Sequence, residues 1–138
     1  MKTIEYLPHI ADMRLRIEAD SLEELFEAGL KGMAQILKKD FCFQHTDFDV
    51  EYTISIEAAD LTLLLVDFLS EILTQSYIET VVFCELEVAH ISENKLTATV
   101  QGKKTDAFDT DVKAITYHEA DVQRNHLGNW ETYLIFDI

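Results

Sequence analysis

The residues best suited to chemistry stand at the two ends of the chain. The sequence closes on Leu134-Ile135-Phe136-Asp137-Ile138, with an acidic side chain one residue before a terminal carboxylate, at the end of an apolar strand. A mostly buried strand rarely crowds two negative charges unless something positive meets them. A cation is the simplest candidate, and hard divalent ions such as Ca²⁺ or Mg²⁺ take oxygen ligands of this kind. Asp12, near the start, is the acid that would complete the site with Asp137 and the carboxylate of Ile138. Calcium takes about 6 to 8 oxygens, so backbone carbonyls and water would fill the remainder. Lys113 cannot ligate while protonated; beside three acids it would balance charge or reach toward a phosphate. His9, just before Asp12 in the chain, fits a hydrogen bond behind the ligands or a plain surface histidine. Taken singly, each residue also has an ordinary reading: Asp12 as a turn or capping residue, Asp137 as a solvated strand end, Lys113 as a surface lysine.

Other clusters are weaker. Asp106, Asp109 and Asp111 alternate in a polar loop but lack the glycine and spacing of a calcium-binding EF-hand. His45, Asp47 and Asp49 alternate at a strand entrance, and one histidine is poor ground for a transition metal. The chain carries no GxSxG, phosphate-binding loop or GxGxxG pattern. Cys42 and Cys84 stand alone, and they read as buried thiols in a reducing compartment, with a disulfide the less favoured alternative.

The elements that must position these groups are legible. Ser21-Leu22-Glu23-Glu24 has the form of a capping box. Leu22, Leu25, Phe26, Met33, Ile36 and Leu37 follow at helical spacing, with Gly29 on the same face, and predict a helix over 21–38. Asp60 caps a second helix with the stripe Leu61, Leu64, Leu65, Phe68, Leu69, Ile72 and Leu73. Phe48 to Glu57 alternates apolar and polar residues as a half-buried strand does, as do Met13 to Ile17. Strands over 80–91 and 95–102 flank a turn at Ser92-Glu93-Asn94-Lys95, and strands over 112–122 and 129–138 flank one around Leu127-Gly128-Asn129. A short strand over Thr3–Tyr6 precedes them.

This order contains a nested repeat. An inner strand-helix-strand-strand unit spans 48–102, inserted into an outer unit of the same form, all within one domain of residues 1–138. Asp12, Lys113 and Asp137 belong to the outer unit, so they can meet in space although the insertion separates them in sequence. Residues 103–111 form a polar connection. The fold class is α+β, with two helices packed on antiparallel or mixed sheet. Lys113 and His118, an odd number apart, fall on opposite faces of their predicted strand.

Composition narrows the partners. The net charge of -15 argues against direct nucleic-acid binding, which needs clustered Lys and Arg. It favours cations and basic protein surfaces. Runs such as Leu63–Val66 are too short to span a bilayer, and the start of the chain reads as folded sequence without a targeting segment. A cytoplasmic protein is expected.

Five motifs in order resemble the archease family. His9-Ile10-Ala11-Asp12 is similar to its His-Thr-Ala-Asp signature, and Ser21-Leu22-Glu23-Glu24-Leu25-Phe26 to the opening of its first helix. Leu65-Val66-Asp67-Phe68-Leu69 resembles its second-helix motif. Val112-Lys113-Ala114-Ile115-Thr116-Tyr117-His118 resembles its Lys-Ala-Val-Thr-Tyr-His stretch, and Phe136-Asp137-Ile138 its ending. The resemblance implies an accessory protein of tRNA splicing, not itself an enzyme. Such a protein promotes guanylylation of a GTP-dependent RNA ligase and allows multiple turnover. It also implies a divalent cation, Ca²⁺ before Mg²⁺ or Mn²⁺, at Asp12, Asp137 and Ile138, with Lys113 a functional position beside it. Two departures are visible: Ile10 removes the usual threonine hydroxyl, and the loop 103–111 lacks the Arg-His pair that many members carry. The residues leave two other classes open, an acidic chaperone-like adaptor for basic proteins and a metal-dependent hydrolase. The hydrolase reading finds no convincing general base beside the proposed ligands.

Overall fold

The computed structural model describes residues 1–8 and 12–138. The role considered for His9, and the Ile10 departure, lie outside the described residues. The chain runs β1 (Lys2–Pro8), β2 (Asp12–Ala19), α1 (Leu22–Leu37), β3 (Val50–Glu57), α2 (Leu61–Glu79), β4 (Val81–Ile91), β5 (Lys95–Lys104), β6 (Ala114–Thr116), β7 (Gln123–Arg124) and β8 (Trp130–Asp137).

Local chemistry sets the helix starts. The Glu24 N–H donates to Ser21 Oγ at 3.2 Å, as a capping residue requires. The Glu24 carboxylate turns instead to the Met1 ammonium, 2.8 Å away, which ties the start of β1 to the first turn of α1. Asp60 Oδ1 accepts from the Leu63 N–H at 2.9 Å and opens α2. That helix ends at Thr80, whose φ of 54° lies in the left-handed region.

The strands form two antiparallel sheets. One has the order β1-β2-β8-β6, with β7 also on β8; the other is β3-β5-β4. The two helices pack on these sheets in an α+β arrangement. Leu15 and Ile17 of β2, Leu134 and Phe136 of β8, Leu25 and Leu30 of α1, and Leu64 and Leu65 of α2 are all fully buried in one core. The Phe26 and Phe68 rings join the helices with centroids 5.7 Å apart. Gly29 lies at their crossing: a Cβ there would sit 3.2 Å from Leu69 Cδ1, a tight contact that asks the leucine to give by a few tenths of an ångström. The helix α2 is long and apolar enough to cross a membrane by length and composition, yet Leu64, Leu65, Val66, Phe68, Leu69 and Ile72 are shut inside this core.

Two expectations are corrected. No continuous strand runs over 112–122: pairing stops at Thr116 and resumes only at Gln123–Arg124. Glu119 takes a φ of 64°, and the Ala120 N–H turns back to the Tyr117 carbonyl. Side chains then take backbone donors that a ladder would have used. The Asp121 N–H donates to Thr132 Oγ1 and the Val122 N–H to Thr62 Oγ1, each at 2.9 Å. The parity that set His118 opposite Lys113 therefore does not hold past Thr116. Second, Cys42 and Cys84 are joined in a disulfide, not free thiols. The segment after α1 folds back onto β4, where Phe41 packs with Val82 and Cys84, and this brings the two cysteine Cα atoms to 5.6 Å. Two isolated cysteines carry no sign of such an approach.

Candidate functional site

The strands β2 and β8 are neighbours, and their register makes Asp12 and Asp137 direct cross-strand partners. Residues so placed hold their Cβ atoms about 4.5–5.5 Å apart on one face, and like charges there repel. The row continues into β6, where Ala114 lies opposite Asp137. Asp12 is half-buried with Oδ1 shielded from solvent, while Asp137 is exposed. The exposed Lys113 precedes Ala114, and its backbone N–H donates to the Asp137 carbonyl at 2.7 Å. Ile138 follows Asp137 and is 39% exposed. Asp12, Asp137, Ile138 and the Lys113 backbone thus converge at one corner of the sheet.

Charge along the rest of this face keeps the strands in step. Arg14 binds Glu119 at 2.7 Å and lies over the Tyr133 ring, 4.5 Å from its centroid. Arg16 joins Glu5 at 2.9 Å, Glu131 at 3.0 Å and Glu18 at 3.3 Å. Glu18 is buried, only 6% exposed, and accepts from Asn129 at 3.0 Å and Asn125 at 2.6 Å. The bond from Asn129, then that from Asn125, holds its carboxyl below the ordinary glutamate range. Asn125 and Asn129 close the turn before β8, so Glu18 fixes where β8 starts against β2. A slip of one residue would carry Asp137 to the other face, away from Asp12.

The donors at the corner are carboxylates and carbonyls. That chemistry suits a hard cation and does not suit a soft one. Among the described residues no three His, Cys, Asp or Glu side chains gather as a metal site. The corner brings together two side-chain carboxylates, those of Asp12 and Asp137, with Ile138 next in the chain. The other acidic candidates do structural work. Asp109 accepts from the Lys39 N–H at 3.0 Å and donates its own N–H to Leu37 at the end of α1. Asp111 Oδ1 lies 3.3 Å from the Tyr77 hydroxyl. His45 stacks on Phe41, and Asp47 faces Lys103 at 3.6 Å.

One contributor carries no signal in the sequence. Tyr77, on the last turn of α2, donates its hydroxyl proton to the Val112 carbonyl at 2.8 Å and accepts from the Val112 N–H at 2.7 Å. It thereby grips the residue before Lys113. A tyrosine near the end of an apolar helix reads only as packing.

Comparison with known proteins agrees with the fold and the chain order. Residues 4–138 match the model of the archease protein family. The archease of Pyrococcus abyssi is 33% identical over 100% of both chains. That of Methanosarcina barkeri is 31% identical over 99% of this chain and 97% of its own. The solution structure of Methanobacterium thermoautotrophicum protein 1598 superposes with a TM-score of 0.78 at 22% identity, covering 98% of each chain. The crystal structure of an archease, possible chaperone, from Thermotoga maritima gives 0.67 at 19% identity, covering 96% of this chain and 94% of the other. With residues 4–138 matched by the family model, the chain belongs to the archease family.

Proposed function

We propose that this protein is a non-enzymatic activator of a GTP-dependent RNA ligase in tRNA splicing, promoting guanylylation of the ligase and its multiple turnover. The observation that carries the reading is the Asp12–Asp137 register pair, with the Lys113 N–H on the Asp137 carbonyl. Two facing carboxylates at one corner draw positive charge, and a divalent cation, Ca²⁺ first, is the hard centre that such oxygens suit. In this reading Asp12, Asp137 and Ile138 hold the ion, which when bound offers a positive centre to phosphate oxygens. Lys113, whose N–H meets the Asp137 carbonyl, stands beside the pair to share that work. Family membership supports the ligase as partner, and the net charge of -15 supports a basic protein surface over RNA itself. A cytoplasmic location goes with that partner; the paired cysteines give no support for it.

The test is a guanylylation assay with the cognate ligase. Folded D12A and D137A proteins are expected to lose stimulation, and to lose the rise in Tm that Ca²⁺ gives the wild type. A few residues added beyond Ile138 should abolish the same rise, because they displace the terminal carboxylate. Stimulation by D137A equal to wild type would remove the corner from the mechanism.

A chaperone-like adaptor is the second reading. The acidic charge and the description of the Thermotoga maritima protein as a possible chaperone favour it. It is preferred if unrelated basic proteins are bound in a salt-sensitive way that ignores divalent ions.

A further inference from the structure

We infer that Tyr77 is a positioning residue for the carboxylate corner, holding Lys113 and the Asp137 carbonyl in place from the last turn of α2. The inference rests on the reading that the corner takes a divalent cation.

Between Lys104 at the end of β5 and Ala114 at the start of β6 the chain crosses without regular structure. It is fastened at its start by the Thr105 N–H on the Thr80 carbonyl, 3.0 Å away, at the end of α2. It is fastened again by Tyr77, whose single hydroxyl takes both backbone groups of the fully buried Val112. Phe108 packs edge-on against the Tyr77 ring at 5.2 Å and keeps the phenol aimed. Burial, ahead of its other influences, lifts the Tyr77 hydroxyl above its ordinary value, so it stays protonated and able to donate.

The next residue after Val112 is Lys113, whose N–H reaches Asp137 at 2.7 Å. The path from Tyr77 to the acid pair is therefore one hydrogen-bonded pair, one peptide unit and one further hydrogen bond. Tyr117, just past β6, makes a second tie to the same helix, its hydroxyl donating to Asp67 at 2.6 Å. The helix α2 thus brackets β6 at both ends. Because β6 is only three residues long, its ladder to β8 is too short to hold Lys113 in place alone. Partners behind the ligands of a metal set its affinity by fixing their geometry.

The test is calorimetric titration of the full-length protein with calcium chloride, below the melting temperature of every variant. Y77F keeps the ring and its contact with Phe108 but loses both bonds to Val112. It is expected to bind Ca²⁺ on the order of tenfold more weakly. Y117F, at an exposed position, is expected to lose a smaller factor and carries the test if Y77F does not fold. The control is Y52F, which removes a comparable bond from Tyr52 to Glu71 of α2, 2.7 Å long and away from the corner. Its affinity should equal wild type. A merely structural role for Tyr77 would lower Tm and leave the affinity unmoved. Wild-type affinity in Y77F, or in Y117F where Y77F is unfolded, overturns the inference alone. Wild-type protein that takes up no divalent ion overturns the metal reading and the positioning role with it.

Discussion

Glu18 shows how a single residue can govern a site it never touches. Its carboxylate is held ionised by Asn129, Asn125 and Arg16, and this cluster sets the start of β8. With its folded value below the ordinary 4.5, Glu18 contributes stability above that pH. The contribution disappears as pH falls through the lower folded value. E18Q should therefore cost about 2 kcal/mol at neutral pH, the scale of a hydrogen bond to a charged group. Thermal melts should show the gap between wild type and E18Q closing below pH about 4.5; a gap constant down to pH 2.5 would contradict this account. The sequence announces Asp12 and Asp137 because acids next to an apolar run and a chain end are out of place. It is silent on Glu18, which alternates with apolar neighbours as any solvated strand residue does. The partners Asn125 and Asn129 lie 107 and 111 residues away, in a turn whose asparagines have a sufficient local explanation.

Among the elements, the helices were the most readable parts because their causes are local. Ser21 and Asp60 cap where their spacing says they should, and the apolar stripes that follow need nothing from distant sequence. The strand expected over 112–122 failed because its fate is decided elsewhere. Thr62 on α2 and Thr132 on β8 take backbone donors of Asp121 and Val122, and no pattern within the segment records that. The disulfide was illegible for the same reason. It closes 42 residues of chain, from the loop after α1 to β4, and should contribute about 2–4 kcal/mol. Reduction, or a C42S/C84S variant, is expected to lower Tm by roughly 10 °C. The Ca²⁺ uptake proposed for the corner should survive in this variant, since neither cysteine lies on its strands. A melting temperature unchanged by reduction would mean that the packing of Phe41 holds this loop unaided.

The whole molecule carries 26 acidic against 11 basic side chains, and that excess sets how it meets a partner. Long-range attraction to the basic partner surface proposed above would be screened over about 8 Å at physiological salt. The association rate should therefore fall steeply between about 50 and 500 mM salt while dissociation changes little. Stopped-flow kinetics would check this, and a salt-independent on-rate would point to apolar docking. The pairing of Asp12 with Asp137 joins points at nearly opposite ends of the chain, and β8 lies inside its sheet, not at an edge. Contacts so distant along the chain close late, after shorter-range structure has shortened the loop between them. Any molecule that recognises this corner therefore also inspects the maturity of the protein. A copy in which β2 and β8 have not yet met presents two separate acids in place of the paired corner.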